Sequence, residues 1–189
     1  MTKRLIRRKR LKIDPERLLV APKGDGTDVW TPAPPDHPVY ALVGQISARW
    51  TWLEQVLDFC IGRLADIQDP IVACVTAQMM GHAPRCLTIK ALAHWRGLAE
   101  IEDEAERLNN ELYRASEKRN RAIHDRFVVQ ESDGRLAKNH RMSKKQLHYG
   151  IKEFDQTELN QALAQIELKI NHCHQLLKMI EDQAYIDVP

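Results

Sequence analysis

Residues 100–125 read EIEDEAERLNNELYRASEKRNRAIHD, and their periodicity decides the fold. Ile101, Ala105, Leu108, Leu112 and Ala115 recur at steps of four and three, a spacing that keeps side chains on one face of an α-helix. The next positions of that seam are Arg119 and Ala122, so a guanidinium falls where a buried aliphatic group is due. An arginine in a packed seam costs free energy unless a charge or a hydrogen-bond partner meets it. Asn120 and His124 are four apart and stand one above the other on an adjoining face. Acidic residues (Glu100, Glu102, Asp103, Glu104, Glu106) crowd the start of the segment, and Arg114, Lys118, Arg119 and Arg121 crowd its end. That gradient complements the helix dipole. The basic end alone therefore has two readings: a helix C-terminus matched to its dipole, or a site built around Arg119, Asn120 and His124.

The flanking chain predicts an all-α fold: an up-down bundle of four to five helices, with a small β-hairpin after the central helix. A first helix runs from about Val39 to Ala65 behind Pro38, with the seam Val43, Ile46, Trp50, Leu53, Leu57, Cys60 and Leu64. Trp50 and Trp52 cannot share a face, so one packs in the core. Asp69-Pro70 opens a short helix from Ile71 to about Met80. Pro84 suits the first turn of a third, which ends near Trp95. Arg85 and Lys90 on it are expected mainly in solvent. Phe127-Val128-Val129, the turn signal Ser132-Asp133-Gly134 and Leu136 to Met142 read as the hairpin. Asp155 is a natural N-cap with Glu158 three residues on. The last helix has the seam Leu159, Leu163, Ile166, Ile170, Cys173, Leu177 and Ile180. His172 and His174 flank that seam and face different directions, as surface or interface residues.

Composition is globular, and no apolar run approaches the roughly 18–20 residues of a membrane span. No secretory leader is legible, and acidic residues from Asp14 onward argue against a transit segment. The four cysteines (Cys60, Cys74, Cys86, Cys173) have no CxxC spacing. They read as reduced packing residues of a cytoplasmic protein without a zinc site. Residues 1–38 form a basic, Pro/Gly-rich N-terminal arm, and 39–189 the helical domain. The arm holds Lys3, Arg4, Arg7, Arg8, Lys9, Arg10 and Lys12. It reads either as an element that touches nucleic-acid phosphates or as a solvated tail. The arm carries a net charge of +4 and the whole chain +2, so the helical domain carries −2. Any affinity for a nucleic acid would therefore have to come from the arm or from a local patch. The hairpin supplies one patch, with Arg126, Arg135, Lys138, His140, Arg141, Lys144 and Lys145 opposed by Glu131 and Asp133, which reads either as a track for a phosphate backbone or as a solvated edge that blocks strand pairing.

Arg119-Asn120-x-x-x-His124 near the end of a long helix resembles the signature of HEPN domains, small α-helical proteins many of which are metal-independent ribonucleases. The resemblance covers residues 38–185. An arginine followed by histidine after four to six residues occurs three times here (Arg119/His124, Arg135/His140, Arg141/His148), and Asn120 singles out the first. Trp50-Thr-Trp-Leu-Glu54 also resembles the first long helix of bacterial members, which often carries an acidic residue. Glu54 then has two readings: a carboxylate that orients Arg119 or Asn120, or a flank charge paired within its own helix.

The resemblance implies an RNA endonuclease in which the 2′-hydroxyl is the nucleophile, so the chemistry asks for no metal or cofactor. His124 would act as general base or general acid, for which an ordinary imidazole pKa near 6.5 is suited. Arg119 would stabilise charge on the non-bridging phosphate oxygens. Asn120 would orient His124 or the phosphate, and Asp125 would fix the histidine tautomer. Lys3, Arg4, Arg7, Arg8, Arg10, Arg121, Arg126 and Arg141 are the candidate nucleic-acid contacts. The resemblance further implies a homodimer whose two signatures share one groove, with a role in toxin–antitoxin or phage defence and an antitoxin protein as partner. The alternative is a non-catalytic helical module that binds nucleotide, RNA or a partner protein. A third reading is a purely structural dimerisation bundle.

Overall fold

The computed structural model describes residues 29–143 and 147–184. These fall into two compact units: a helical unit of residues 35–124 and 155–184, and a sheet unit of residues 29–34 and 125–154. The basic arm residues Lys3 to Lys12, and Lys144 and Lys145 of the predicted patch, lie outside the described residues.

The helical unit contains α1 (Pro38–Ala65), α2 (Asp69–Thr76), α3 (His82–Arg96), α4 (Ala99–His124) and α5 (Thr157–Ala184). α1 packs chiefly on α5 and α3, while α4 closes the bundle against α3 and α5. The predicted helices are all present, each within a few residues of its expected ends. Local chemistry explains those ends. Pro38 takes the first turn of α1, where its missing N–H costs nothing, and His37 Nδ1 accepts the Val39 N–H at 3.2 Å. Gly97 stops α3 at a positive φ of 73°, and its N–H bonds back to the last turn. Asp155 accepts the Thr157 N–H at 2.9 Å and so starts α5. These bonds, the hydroxyl of Thr157 first, hold the Asp155 carboxyl below its usual range.

The seams of α1 and α4 are buried along Ile46, Trp50, Leu53, Leu57, Cys60 and Leu64, and along Ile101, Ala105, Leu108, Leu112, Ala115 and Ala122. Val43 of the α1 seam is only half-buried. α5 corrects its predicted seam at two positions. Ala162 and Leu176 are buried, whereas Leu163 and Leu177 are half-buried. A straight helix of 3.6 residues per turn drifts against a strict heptad, and one-residue slips of this kind follow.

α2 lies against α1 at a point of close approach. A Cβ on Gly62 would stand 2.5 Å from Cγ2 of Val72, itself buried. Gly62→Ala is therefore expected to destabilise the helical unit by about 1–3 kcal/mol through overpacking, despite alanine's better helix propensity. Urea unfolding followed by circular dichroism checks this; an unchanged or raised midpoint would show that α2 yields freely.

The sheet unit is larger than the predicted hairpin. β2 (Arg126–Gln130) and β3 (Leu136–Ser143) pair antiparallel as expected, around a turn in which Gly134 takes a φ of 72°. β1 (Trp30–Pro32) adds to β2, and β4 (Leu147–Glu153) adds to β3, giving an antiparallel sheet of order β1-β2-β3-β4. Residues 30–32, read from sequence as part of the arm, thus form an edge strand. Pro32 is tolerated there because an edge residue need not donate to a ladder. Phe127 and Phe154 meet edge-on at 5.2 Å and, with Ala137, form the small core of this unit.

Candidate functional site

The helical unit gives Arg119 a seat. α4 turns about 100° per residue, which places Arg119 in the middle of its buried face, between Ala115 and Ala122. Its guanidinium carbon lies 5.9 Å from the ring centroid of Trp50 on α1, and Trp50 is itself only 3% exposed. A cation over an indole is attracted by the ring quadrupole, by about 0.5–2 kcal/mol depending on desolvation. The Trp50 indole N–H donates to Oε1 of Glu54 at 2.7 Å. The ring is therefore fixed by a carboxylate at its edge and carries a cation near its face.

Two further groups complete the cluster. Nη1 of Arg119 donates to Oδ1 of Asn120 at 2.9 Å. His82, the first residue of α3, meets Trp50 edge-on at 5.7 Å. Nε of Arg119 and Nε2 of His82 are both buried and have no hydrogen-bond partner among the described residues. Buried polar atoms are nearly always satisfied in folded proteins, so two orphans around one ring mark a polar site within an apolar bundle.

Burial lowers the pKa of His82. Folding therefore favours its neutral form, while the unfolded chain binds more protons as pH falls. This contribution to stability is complete above pH 6.5 and declines as pH drops through 6.5 toward the folded-state pKa. His82→Gln is expected to remove that part of the pH dependence, read as the difference in urea midpoint between pH 7.5 and 5.5. An equal pH difference in both proteins would contradict the assignment.

His124 is the last residue of α4 and is exposed. Helix geometry sets it about 140° around the axis from Arg119 and about 40° from Asn120. Arg119 therefore faces into the bundle, His124 faces out, and the exposed Asn120 bridges the two directions. Asn120 spends its carbonyl oxygen on Arg119, which leaves its amide N–H groups as donors beside His124. Asp125 follows the helix end and is half-exposed.

Of the two readings of Glu54, pairing within its own helix is the one observed: it accepts from Trp50 and reaches Arg119 only through the ring. Other predicted roles change. Arg85 is not in solvent. It is 8% exposed, pairs with Asp58 at 2.7 Å, and donates to the carbonyls of Met79 and Gly81. Lys90 stays at the surface as expected, in an exposed pair with Glu106. In the hairpin patch, Arg135 is tied to Asp133, and Lys138 stands 4.2 Å over the Phe154 ring. Arg121 and Arg126 are exposed. Arg141 lies in β3 opposite Tyr149. His172 and His174 do diverge: His172 faces Glu111 of α4, and His174 lies 6.2 Å from the Trp52 ring.

Cys60, Cys86 and Cys173 are buried as predicted, and burial pushes the thiols up, that of Cys86 to about 12. Cys74, read from the sequence as a packing residue, is instead exposed on α2. Among the described residues no group of three His, Cys, Asp or Glu side chains is placed to hold a metal ion, and no helix is long and apolar enough to cross a membrane.

Comparison of the chain with protein-family models, with curated proteins and with solved structures found no match.

Proposed function

We propose that the protein is a metal-independent RNA endonuclease of HEPN type, with Arg119, Asn120 and His124 as its catalytic residues. One observation carries this reading. An arginine occupies the buried seam of α4, seated on Trp50 with a desolvated Nε, and its Asn120 partner leads to an exposed histidine one turn on. A helix end that merely matched its dipole would place its cations outward.

In the proposed reaction the 2′-hydroxyl oxygen attacks the adjacent phosphorus and the P–O5′ bond breaks. The 2′ proton passes to a histidine base, and a proton from an acid goes to the departing 5′-oxygen. The products are a 2′,3′-cyclic phosphate and a 5′-hydroxyl end. His124 supplies one proton transfer, worth about 10²–10⁴-fold. Arg119 steadies the phosphorane charge. One exposed imidazole cannot serve as base and acid in the same step, so a homodimer with paired signatures supplies the second. Toxin or phage-defence activity, restrained by an antitoxin protein, is the biological setting this chemistry suits.

The net charge of −2 on residues 39–189 favours a second reading, a non-catalytic helical module that binds nucleotide, RNA or a partner protein. Incubating RNA in EDTA with the wild type and with His124→Ala separates the two. Cleavage by the wild type leaving cyclic-phosphate ends, at least 10²-fold slower in the variant, is expected. Equal rates in both proteins would remove His124 from the chemistry.

A further inference from the structure

The exposed side of α4 carries two stripes that the cleavage chemistry does not use. Arg107, Arg114, Lys118 and Arg121 lie within an arc of about 60° and span roughly 21 Å along the axis. All four are exposed. Beside them Tyr113, 58% exposed, shares a second arc of about 40° with Asn120 and His124. The first stripe borders an open groove of about 500 Å³ between α4 and α5, where Gln165 and Lys169 face Arg107 and Arg114.

The charges on this surface are unequally committed. Arg107 is held by Glu104, and Lys169 by Glu111. Among the described residues Lys118 bonds the neutral amide of Gln165 and no carboxylate, so its charge is uncompensated there. Arg114 and Arg121 have no ion pair among the described residues. Glu117 borders the stripe and has a partner of its own. The acidic surplus of α4 sits in its first turns, at Glu100 and Glu102, away from this end. The overall negative charge of the domain therefore hides a local cationic track that ends beside His124.

We propose that the exposed side of α4 from Arg107 to His124 binds single-stranded RNA, with Arg114, Lys118 and Arg121 on successive phosphates and Tyr113 stacked against a base. Cations spaced along a line suit a phosphodiester backbone. An exposed aromatic ring at the edge of a cationic track is the arrangement that makes single-strand binding tolerant of sequence. The amides of Gln165 and Asn110 in the groove donate and accept, as bases and 2′-hydroxyls require. An acidic peptide would use the cations and leave Tyr113 idle. The track takes its direction, toward Asn120 and His124, from the ribonuclease reading, but binding is measurable without cleavage.

The test uses the full chain in a His124→Ala background and a labelled oligouridylate, with anisotropy titrations between 50 and 300 mM salt. Arg114→Gln/Lys118→Gln is expected to weaken binding about tenfold or more at the lowest salt. It is also expected to lower the salt slope by about 1.4, since each single-strand phosphate contact contributes about 0.7. Tyr113→Ala is expected to weaken binding about fivefold or more with the slope unchanged, the signature of lost stacking. Arg96→Gln, an exposed cation on α3, is the control and should bind as the parent does. Equal affinity and slope in the double variant and the control would overturn the proposal, as would displacement of the RNA by polyglutamate at matched charge. A wild type that binds through the track but does not cleave would sink the ribonuclease reading and leave the track standing.

Discussion

Trp50→Ala is expected to destabilise the helical unit by about 3–5 kcal/mol, the range for truncating a large buried aromatic. Trp50 is 3% exposed and sits where α1, α3 and α4 meet, so no neighbour can collapse into its place without moving a helix. Truncation also strips the Glu54 carboxylate of its donor and leaves Arg119 in the seam over a void. Trp50→Phe keeps a ring under the guanidinium and loses the indole N–H, so a smaller cost of about 1–2 kcal/mol follows. Trp52, two residues away and 40% exposed, serves as the comparison: Trp52→Ala should stay within about 1 kcal/mol of the wild type. Urea unfolding of the three variants reads the order directly. Equal costs for Trp50 and Trp52 would mean that the ring under Arg119 is not part of the core.

Arg119→Met is expected to separate stability from activity. Methionine keeps an unbranched stem of similar length in the seam and removes the half-buried guanidinium. Nε of Arg119 has no hydrogen-bond partner among the described residues, so its desolvation goes uncompensated there. Replacing a partly buried, incompletely paired charge by an apolar side chain of similar length is expected to be neutral or slightly stabilising. The variant should therefore unfold at the same urea concentration as the wild type or up to about 1 kcal/mol later. The same change takes away the charge proposed to face the phosphorane, and cleavage should fall by about 10²–10³-fold. Lower stability with unchanged cleavage would reverse the assignment and make Arg119 a structural residue.

The helices were legible because their seams are regular and their stops are local. Pro38, Gly97 and Asp155 act through their own backbone or their nearest neighbours, so a window of a few residues suffices to read them. The anomaly at Arg119 was legible for the same reason, as a break in a periodic pattern. Its partner was not, because Trp50 is 69 residues away and nothing in either segment names the other. Arg85 was misread on the same ground: it looks like any arginine on an amphipathic helix until Asp58, 27 residues upstream, is placed against it. β1 and β4 escaped because Trp30–Pro32 is too short for a period and Gly150 interrupts the strand signal of Leu147–Glu153. The cationic track on α4 was visible only as a basic helix end. Which of those cations are already paired depends on Glu104, Glu111 and Gln165, and pairing decides what remains for a ligand.

The central claim is that Arg119, Asn120 and His124 cleave RNA without a metal. The most direct measurement is the end chemistry of RNA incubated in EDTA with purified wild type and with His124→Ala, after both are shown to elute as the same oligomer. The account predicts 2′,3′-cyclic phosphate and 5′-hydroxyl ends from the wild type, and a rate at least 10²-fold lower from the variant. Cleavage at equal rates by both proteins, or intact RNA in both, would contradict it.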